Sequence, residues 1–163
     1  MTREFHNIPP IYGKDSRVLI LGSFPSQKSR ENAFFYAHPR NRFWRVISTL
    51  CSESEPITVC DKRSLLLRHG IALWDVCAEC DIEASSDSAI RNVIPNDIPR
   101  LLSETSVKHI FTNGSTADKL YNKLIFPLTN LPSVCLPSTS PANASKNFES
   151  LYNEWQTIKH YIT

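Results

Sequence analysis

The chain has 163 residues, of which 41% are apolar and 21% charged, with a formal net charge of +2. That length suits one domain with a core large enough to need no staples, and the balance excludes a disordered, collagen-like or polycationic chain, so any nucleic-acid surface must be local. No apolar run reaches the roughly 18 residues of a membrane span, residues 1–15 lack the apolar stretch of a secretory leader, and the irregularly spaced cysteines read as reduced thiols of a cytoplasmic protein.

Val18–Leu21 predicts the first buried strand, closed by Gly22. Residues 23–41 predict a long loop without regular periodicity. Phe43, Val46, Ile47 and Leu50 fall at i, i+3, i+4, i+7 and predict a helix. A second helix carries Leu65, Leu66 and Leu67 and stops at His69-Gly70, before a strand over Ile71–Trp74. Ile98, Leu101 and Leu102 mark a short helix, and Val107–Thr112 a third strand. Ala117, Leu120, Tyr121 and Leu124 mark another helix, Ser133–Leu136 the fourth strand, and Phe148, Leu151, Tyr152, Trp155 and Ile158 a closing helix. Gly13, Gly22, Gly70 and Gly114 each sit at an element boundary, where a chain needs a positive φ or a close backbone approach.

Strands alternating with helices predict an α/β fold, a three-layer α/β/α sandwich with a central four-stranded parallel sheet, in one domain over residues 1–163. In such sheets ligands bind outside the carboxyl ends of the strands. Chemistry is therefore expected in Gly22–Ser26 and its loop, from Asp75 onward, at Asn113–Ser115 and over Pro137–Asn143. Between residues 28 and 45, Lys28, Arg30, Arg40, Arg42 and Arg45 face only Glu31, interleaved with Phe34, Phe35, Tyr36, Phe43 and Trp44. Bases among aromatics suit phosphates outside and a flat nucleobase inside. A solvated loop whose aromatics pack it down is the other reading of the same residues.

Phe35-Tyr-Ala-His-Pro-Arg-Asn-Arg-Phe-Trp44 resembles the pocket loop of the uracil-DNA glycosylase superfamily. Leu21-Gly-Ser-Phe-Pro25 is similar to that family's first motif, Leu136-Pro-Ser-Thr-Ser-Pro-Ala-Asn143 to its second, and Phe111-Thr-Asn-Gly-Ser-Thr-Ala117 to its penultimate strand and helix start. These stretches run in order over roughly residues 17–160. In most members an Asp or Asn orients the attacking water at the place where this chain has Phe24, whose ring can do no such work. Gly-Ser-Phe-Pro-Ser with His-Pro-Arg-Asn downstream resembles the hypoxanthine-DNA (DNA-deoxyinosine) glycosylase branch, in which the pocket-loop Asn, here Asn41, is the catalytic candidate.

The resemblance implies a monofunctional DNA glycosylase that hydrolyses the N-glycosidic bond of a flipped deaminated base, hypoxanthine first, in base excision repair. It needs neither cofactor nor metal. Its partner would be double-stranded or single-stranded DNA, met as a cytoplasmic, nucleoid-associated monomer without a membrane. Asn41 would align water or donate to the departing base. Gly22, Ser23, Phe24, Tyr36, Asp75 and Asn113 would form the base pocket: Tyr36 for stacking, backbone amides near Gly22-Ser23 for O6, Asp75 or a backbone carbonyl for N1–H. A site that pairs O6 and N1–H rejects adenine, because its own buried groups would be left unpaired. Ser26, Lys28, Arg40, Ser138, Thr139 and Ser140 would meet DNA, with Ala142 and Asn143 where the family's wedge enters the duplex. Lys28 is the one lysine of the pocket loop, and nothing marks it for Schiff-base chemistry.

Competing readings follow from the same residues. Asn41 is a good helix N-cap, a role compatible with catalysis. His38-Pro39 reads as a turn, Asp75 equally as a partner of loop amides, and Cys77-Ala-Glu-Cys80 as plain thiols rather than half of a metal site. Ser23, His38 and Asp75 allow a hydrolase triad, though without a nucleophile elbow. Mismatch-type uracil excision and a non-catalytic DNA-binding protein on the same fold are the remaining alternatives.

Overall fold

The computed structural model describes residues 2–83 and 90–162. In chain order the elements are β1 (Thr2–Phe5), β2 (Val18–Gly22), α1 (Gln27–Asn32), α2 (Phe43–Leu50), α3 (Val59–Arg68), β3 (Ile71–Asp75), β4 (Cys77–Ile82) and β5 (Arg91–Pro95). There follow α4 (Ile98–Ser103), β6 (His109–Asn113), α5 (Ser115–Leu124), α6 (Phe126–Thr129), β7 (Ser133–Leu136) and α7 (Phe148–Trp155), with a 3₁₀ turn over Gln156–His160. No helix among the described residues is long and apolar enough to cross a membrane.

The main sheet is four-stranded and parallel in the order β3-β2-β6-β7, as the alternation of strands and helices predicts. Successive β2 side chains leave it on opposite faces, so Val18 and Ile20 join one core and Leu19 and Leu21 another. The first core takes Val46 and Ile47 of α2, Leu65 and Leu66 of α3, and Leu151 and Trp155 of α7. The second takes Ile98 and Leu101 of α4 and Tyr121 of α5. This is the three-layer sandwich. The helices start where side chains can satisfy their free amides: Thr58 Oγ1 accepts from Asp61 N (3.0 Å), Asp97 Oδ1 from Arg100 N (3.1 Å), Asn147 Oδ1 from Ser150 N (2.9 Å). Gly70, at φ 71°, turns the chain from α3 into β3 in a conformation that L side chains resist.

Two features depart from the sequence-based expectation. Residues 23–41 contain a helical turn and a half, α1, opened by Ser26, whose hydroxyl accepts from Ser29 N at 3.2 Å. Its residues, QKSREN, carry no apolar period to betray it. The chain also builds a second, antiparallel sheet in the order β1-β4-β5. β1 pairs Phe5 with Glu79 and Thr2 with Ile82, so the N-terminal strand is sewn onto the segment that leaves β3. Beyond β1 the chain runs along the free edge of β3, where Ile11 and Leu73 exchange backbone hydrogen bonds of 3.0 and 2.9 Å.

Candidate active site

A cavity of about 1040 Å³ opens at the carboxyl ends of β2, β3, β6 and β7. Its floor is where β2 and β3 end side by side, Gly22 opposite Asp75. A Cβ on Gly22 would stand 2.3 Å from Asp75 Oδ1 and 3.1 Å from Tyr36 Oη, so both polar groups converge over a backbone that must be bare. Gly22 thus serves close approach, not a positive φ. Asp75 is 4% exposed. Its Oδ2 lies 2.8 Å from His6 Nε2, and both side chains are almost wholly buried. Ile8 N–H donates to His6 Nδ1 at 3.2 Å, which leaves the ring proton on Nε2 to be donated to the carboxylate.

Aromatic rings enclose this floor. The His6 ring has Phe24 edge-on at 6.1 Å (81°), Phe35 at 6.1 Å and Trp74 at 6.4 Å. Phe24 packs with Cys77, Cys80 and Ile82 and carries the Arg30 guanidinium 5.3 Å above its ring. Tyr36 stacks on Phe43 (4.2 Å, 23°) and holds φ at 51°, a left-handed backbone that costs a non-glycine residue about 1–3 kcal/mol and clusters at functional sites.

Asn41 sits half-buried at the rim. Its Oδ1 accepts from Phe43 N at 2.9 Å and from Thr139 Oγ1 at 2.9 Å; the N-cap position of α2 itself is Arg42, so Asn41 stands one residue ahead of the cap expected of it. A backbone amide can only donate, so the oxygen is fixed on that side and the NH₂ group is what Asn41 has left for the cavity. Thr139 in turn accepts from Asn113 Nδ2 (3.0 Å) and donates its own amide to Asn113 Oδ1 (3.0 Å). The ends of α2, β6 and the loop after β7 are thereby one hydrogen-bonded unit.

Arg42 completes it. Its Nη2 donates to Ser140 O (2.8 Å) and Asn143 O (3.2 Å), its Nε to Thr139 O (3.4 Å) and its Nη1 to Lys146 O, while its backbone amide also reaches Thr139 O (3.1 Å). One planar fork gathers a whole loop's carbonyls. Arg42→Ala is expected to lower stability by about 2 kcal/mol and duplex affinity with it. Arg42→Lys, a single point charge, restores little of either. Thermal melts and duplex titrations of both variants check this.

Every residue expected in the base pocket lines the cavity, and so do Asn41 and the expected DNA contacts apart from Lys28 and Arg40. Those two are exposed outside it, Lys28 at 3.8 Å from Glu31. Thr139 as a phosphate contact is corrected: it is 0% exposed and its hydroxyl and amide are committed to Asn41 and Asn113. Asn113 braces that loop rather than standing free to read a base. Asn143 does not project as a wedge, because Nδ2 donates to Ser138 O and Oδ1 accepts from Ser145 Oγ. Ala142 is the exposed residue of that turn. The Ser23, His38, Asp75 triad is corrected too: the imidazole on Asp75 is His6, while His38 Nδ1 accepts from Arg40 N in a turn. Sequence reasoning missed His6, which no motif marks and which reaches Asp75 across 69 residues. It counted Arg42 only as a charge, although its place after Asn41 in the pocket loop was a usable signal.

Cys77 and Cys80 are buried against Phe24, and burial pushes the Cys80 thiol up to about 11. Among the described residues no group of three or more His, Cys, Asp or Glu side chains is placed to hold a metal ion.

Comparison with known proteins agrees with this fold. Residues 9–159 match the family model of the uracil DNA glycosylase superfamily. A hypoxanthine DNA glycosylase of Methanosarcina acetivorans is 34% identical over 154 residues, covering 92% of this chain and 94% of that protein. One of Methanosarcina barkeri is 33% identical over 85 residues, covering 52% and 54%. A solution NMR structure from Methanosarcina acetivorans, named provisionally as a uracil DNA glycosylase, superposes with a TM-score of 0.79 at 31% identity over 93% of this chain and 94% of that one.

Proposed function

The chain belongs to the uracil DNA glycosylase superfamily, and we propose on that footing that it is a monofunctional DNA glycosylase that excises hypoxanthine from DNA. The observation that carries the site assignment is the pairing, in one cavity, of a buried carboxylate on the floor with a carboxamide NH₂ at the rim. A base flipped from the duplex enters beside the Tyr36 and Phe24 rings. Flipping costs a few kcal/mol and least at a damaged or mismatched pair, so a deaminated base favours its own extraction. Asp75 Oδ1 accepts the N1–H of hypoxanthine; adenine offers a lone pair there instead and is refused.

As the C1′–N9 bond breaks, its electron pair passes to the purine, and the Asn41 NH₂ donates to the departing base. Water then adds at C1′, and the proton it loses ends on the purine anion, so the sugar keeps the hydroxyl and hypoxanthine leaves neutral. The oxocarbenium-like transition state asks for charge stabilisation on the leaving group more than for a strong base, which suits a site with Phe24 in place of an acid. Among the described residues no lysine lines the cavity, which supports hydrolysis over a Schiff-base route. The exposed Lys28 and Arg40, with Ser138, Ser140 and Ala142 of the loop after β7, face the duplex backbone, whose phosphates position the protein without reading sequence. On this reading the substrate is double-stranded DNA, with single-stranded DNA as the alternative, and the protein works as a cytoplasmic monomer.

A strand-cleavage assay tests this. Duplexes with a single hypoxanthine, uracil, xanthine or mismatched thymine are incubated with protein and then treated with alkali. Cleavage is expected to be strongest at hypoxanthine and to require the alkali. Uracil in first place would assign mismatch-type uracil excision, since its N3–H also suits Asp75. Salt-sensitive binding without base release would leave a non-catalytic DNA-binding protein.

A further inference from the structure

We propose that His6 is a positioning residue that holds Asp75 in the one orientation able to accept the purine N1–H, so that choice of base depends on a strand outside the family's matched segment. This rests on the reading of Asp75 given above and deepens it.

The family match begins at residue 9, and His6 precedes it. β1 brings it in: after Phe5 pairs with Glu79, His6 N donates to Ala78 O at 2.7 Å, which sets the imidazole over the end of β3. There the ring is committed at both nitrogens. Nδ1 accepts from Ile8 N–H, and Nε2 therefore gives its proton to Asp75 Oδ2 at 2.8 Å. With Oδ2 occupied from behind, Oδ1 is left over the bare backbone of Gly22, on the cavity floor. The direction of that proton matters. A carboxylate that receives a hydrogen bond remains an acceptor at its other oxygen, whereas a protonated one could turn a donor toward the pocket and suit the N1 lone pair of adenine. Phe24, Phe35 and Trp74 pack around the imidazole and leave it little freedom to rotate. The base edge is the ligand these atoms suit, because Asp75 is buried on the floor while Asn41 is only half-buried at the rim. The dyad separates hypoxanthine from adenine. It does not separate hypoxanthine from guanine, which shares O6 and N1–H.

The experiment compares wild type, His6→Phe and His6→Gln in single-turnover release of hypoxanthine, with affinity for a duplex carrying a tetrahydrofuran abasic analogue as the control. Wild type is also tested on N1-methylhypoxanthine, which has no N1–H. His6→Phe fills the aromatic box but donates nothing, and release is expected to fall at least about thirtyfold with affinity for the analogue within about threefold. His6→Gln, whose amide N–H reaches the place of Nε2, recovers most of the rate. N1-methylhypoxanthine is released at least about thirtyfold more slowly than hypoxanthine by wild type. Full activity in His6→Phe, or His6→Gln no better than His6→Phe, overturns the positioning role. If His6→Phe loses affinity for the analogue as well, the methylated base decides: equal release of both bases overturns the proposal. Wild type that releases no hypoxanthine at all removes instead the functional reading on which it stands.

Discussion

Replacing Asn41 with alanine is expected to slow single-turnover release of hypoxanthine by about 10²–10³-fold, the usual consequence of removing one donor aimed at developing charge. Duplex affinity should change far less, because the residues that face the backbone are elsewhere. Alanine also removes the acceptor for Phe43 N and for Thr139 Oγ1, a stability loss of about 1–2 kcal/mol that by itself would not touch the chemical step. Asn41→Asp separates the two roles. A carboxylate keeps both hydrogen bonds and presents an oxygen, not an N–H, to the cavity. The start of α2 should survive in thermal melts while release stays as low as in the alanine variant. An aspartate enzyme with full activity would mean that an acceptor guiding water, and not a donor to the leaving base, is what the rim supplies.

Gly22→Ala is the second variant with a large expected effect. The new methyl would lie 2.3 Å from Asp75 Oδ1, closer than Cβ atoms come to anything, and 3.1 Å from Tyr36 Oη. Asp75 cannot simply swing aside, because its other oxygen is held by a buried imidazole. The floor must rearrange, with a stability cost of about 1–3 kcal/mol for overpacking. Release of hypoxanthine should fall by about 10²-fold or more, since about an ångström of misplacement at a reacting site costs that much. Gly13→Ala is the internal control: its Cβ would meet Leu67 Cδ2 at an ordinary 3.7 Å. Single-turnover rates and melting temperatures of the two proteins, measured side by side, decide the matter; a Gly22→Ala enzyme with wild-type rates would show that Asp75 Oδ1 has no part in holding the base.

The main sheet was legible first in β2 and β3, which are buried on both faces and so read as unbroken apolar runs, Val18–Leu21 and Ile71–Trp74. The small sheet was not. β1 carries Thr2, Arg3 and Glu4, and Arg3 spends its guanidinium on Glu79 and Asp81 of β4, so charges occupy positions where an apolar alternation would have announced a strand. β4 loses its period of two as well. Its pairing with β5 shifts register between Cys77 and Glu79 and again between Glu79 and Asp81, which lets Cys77 and Cys80, three apart, both face the core. In the site, residues inside contiguous motifs could be read: Asn41, Tyr36 and the loop after β7. Local sequence carries no trace of a contact such as His6 with Asp75, which exists only once an antiparallel pairing far along the chain has formed. Nor could it say that Thr139 would turn inward and leave its serine neighbours half-buried at the cavity wall.

The clamp of Arg42, Asn41 and Asn113 on the 138–147 loop has a consequence for how damage is found. A rim whose amides and carbonyls are already mated has its working shape before DNA arrives, so little ordering entropy remains for the protein to lose on contact. The deformation must then come from the double helix, and the sorting of sound from damaged pairs is done in part by the stiffness of the substrate itself: a site that holds its base weakly yields to a mould that does not.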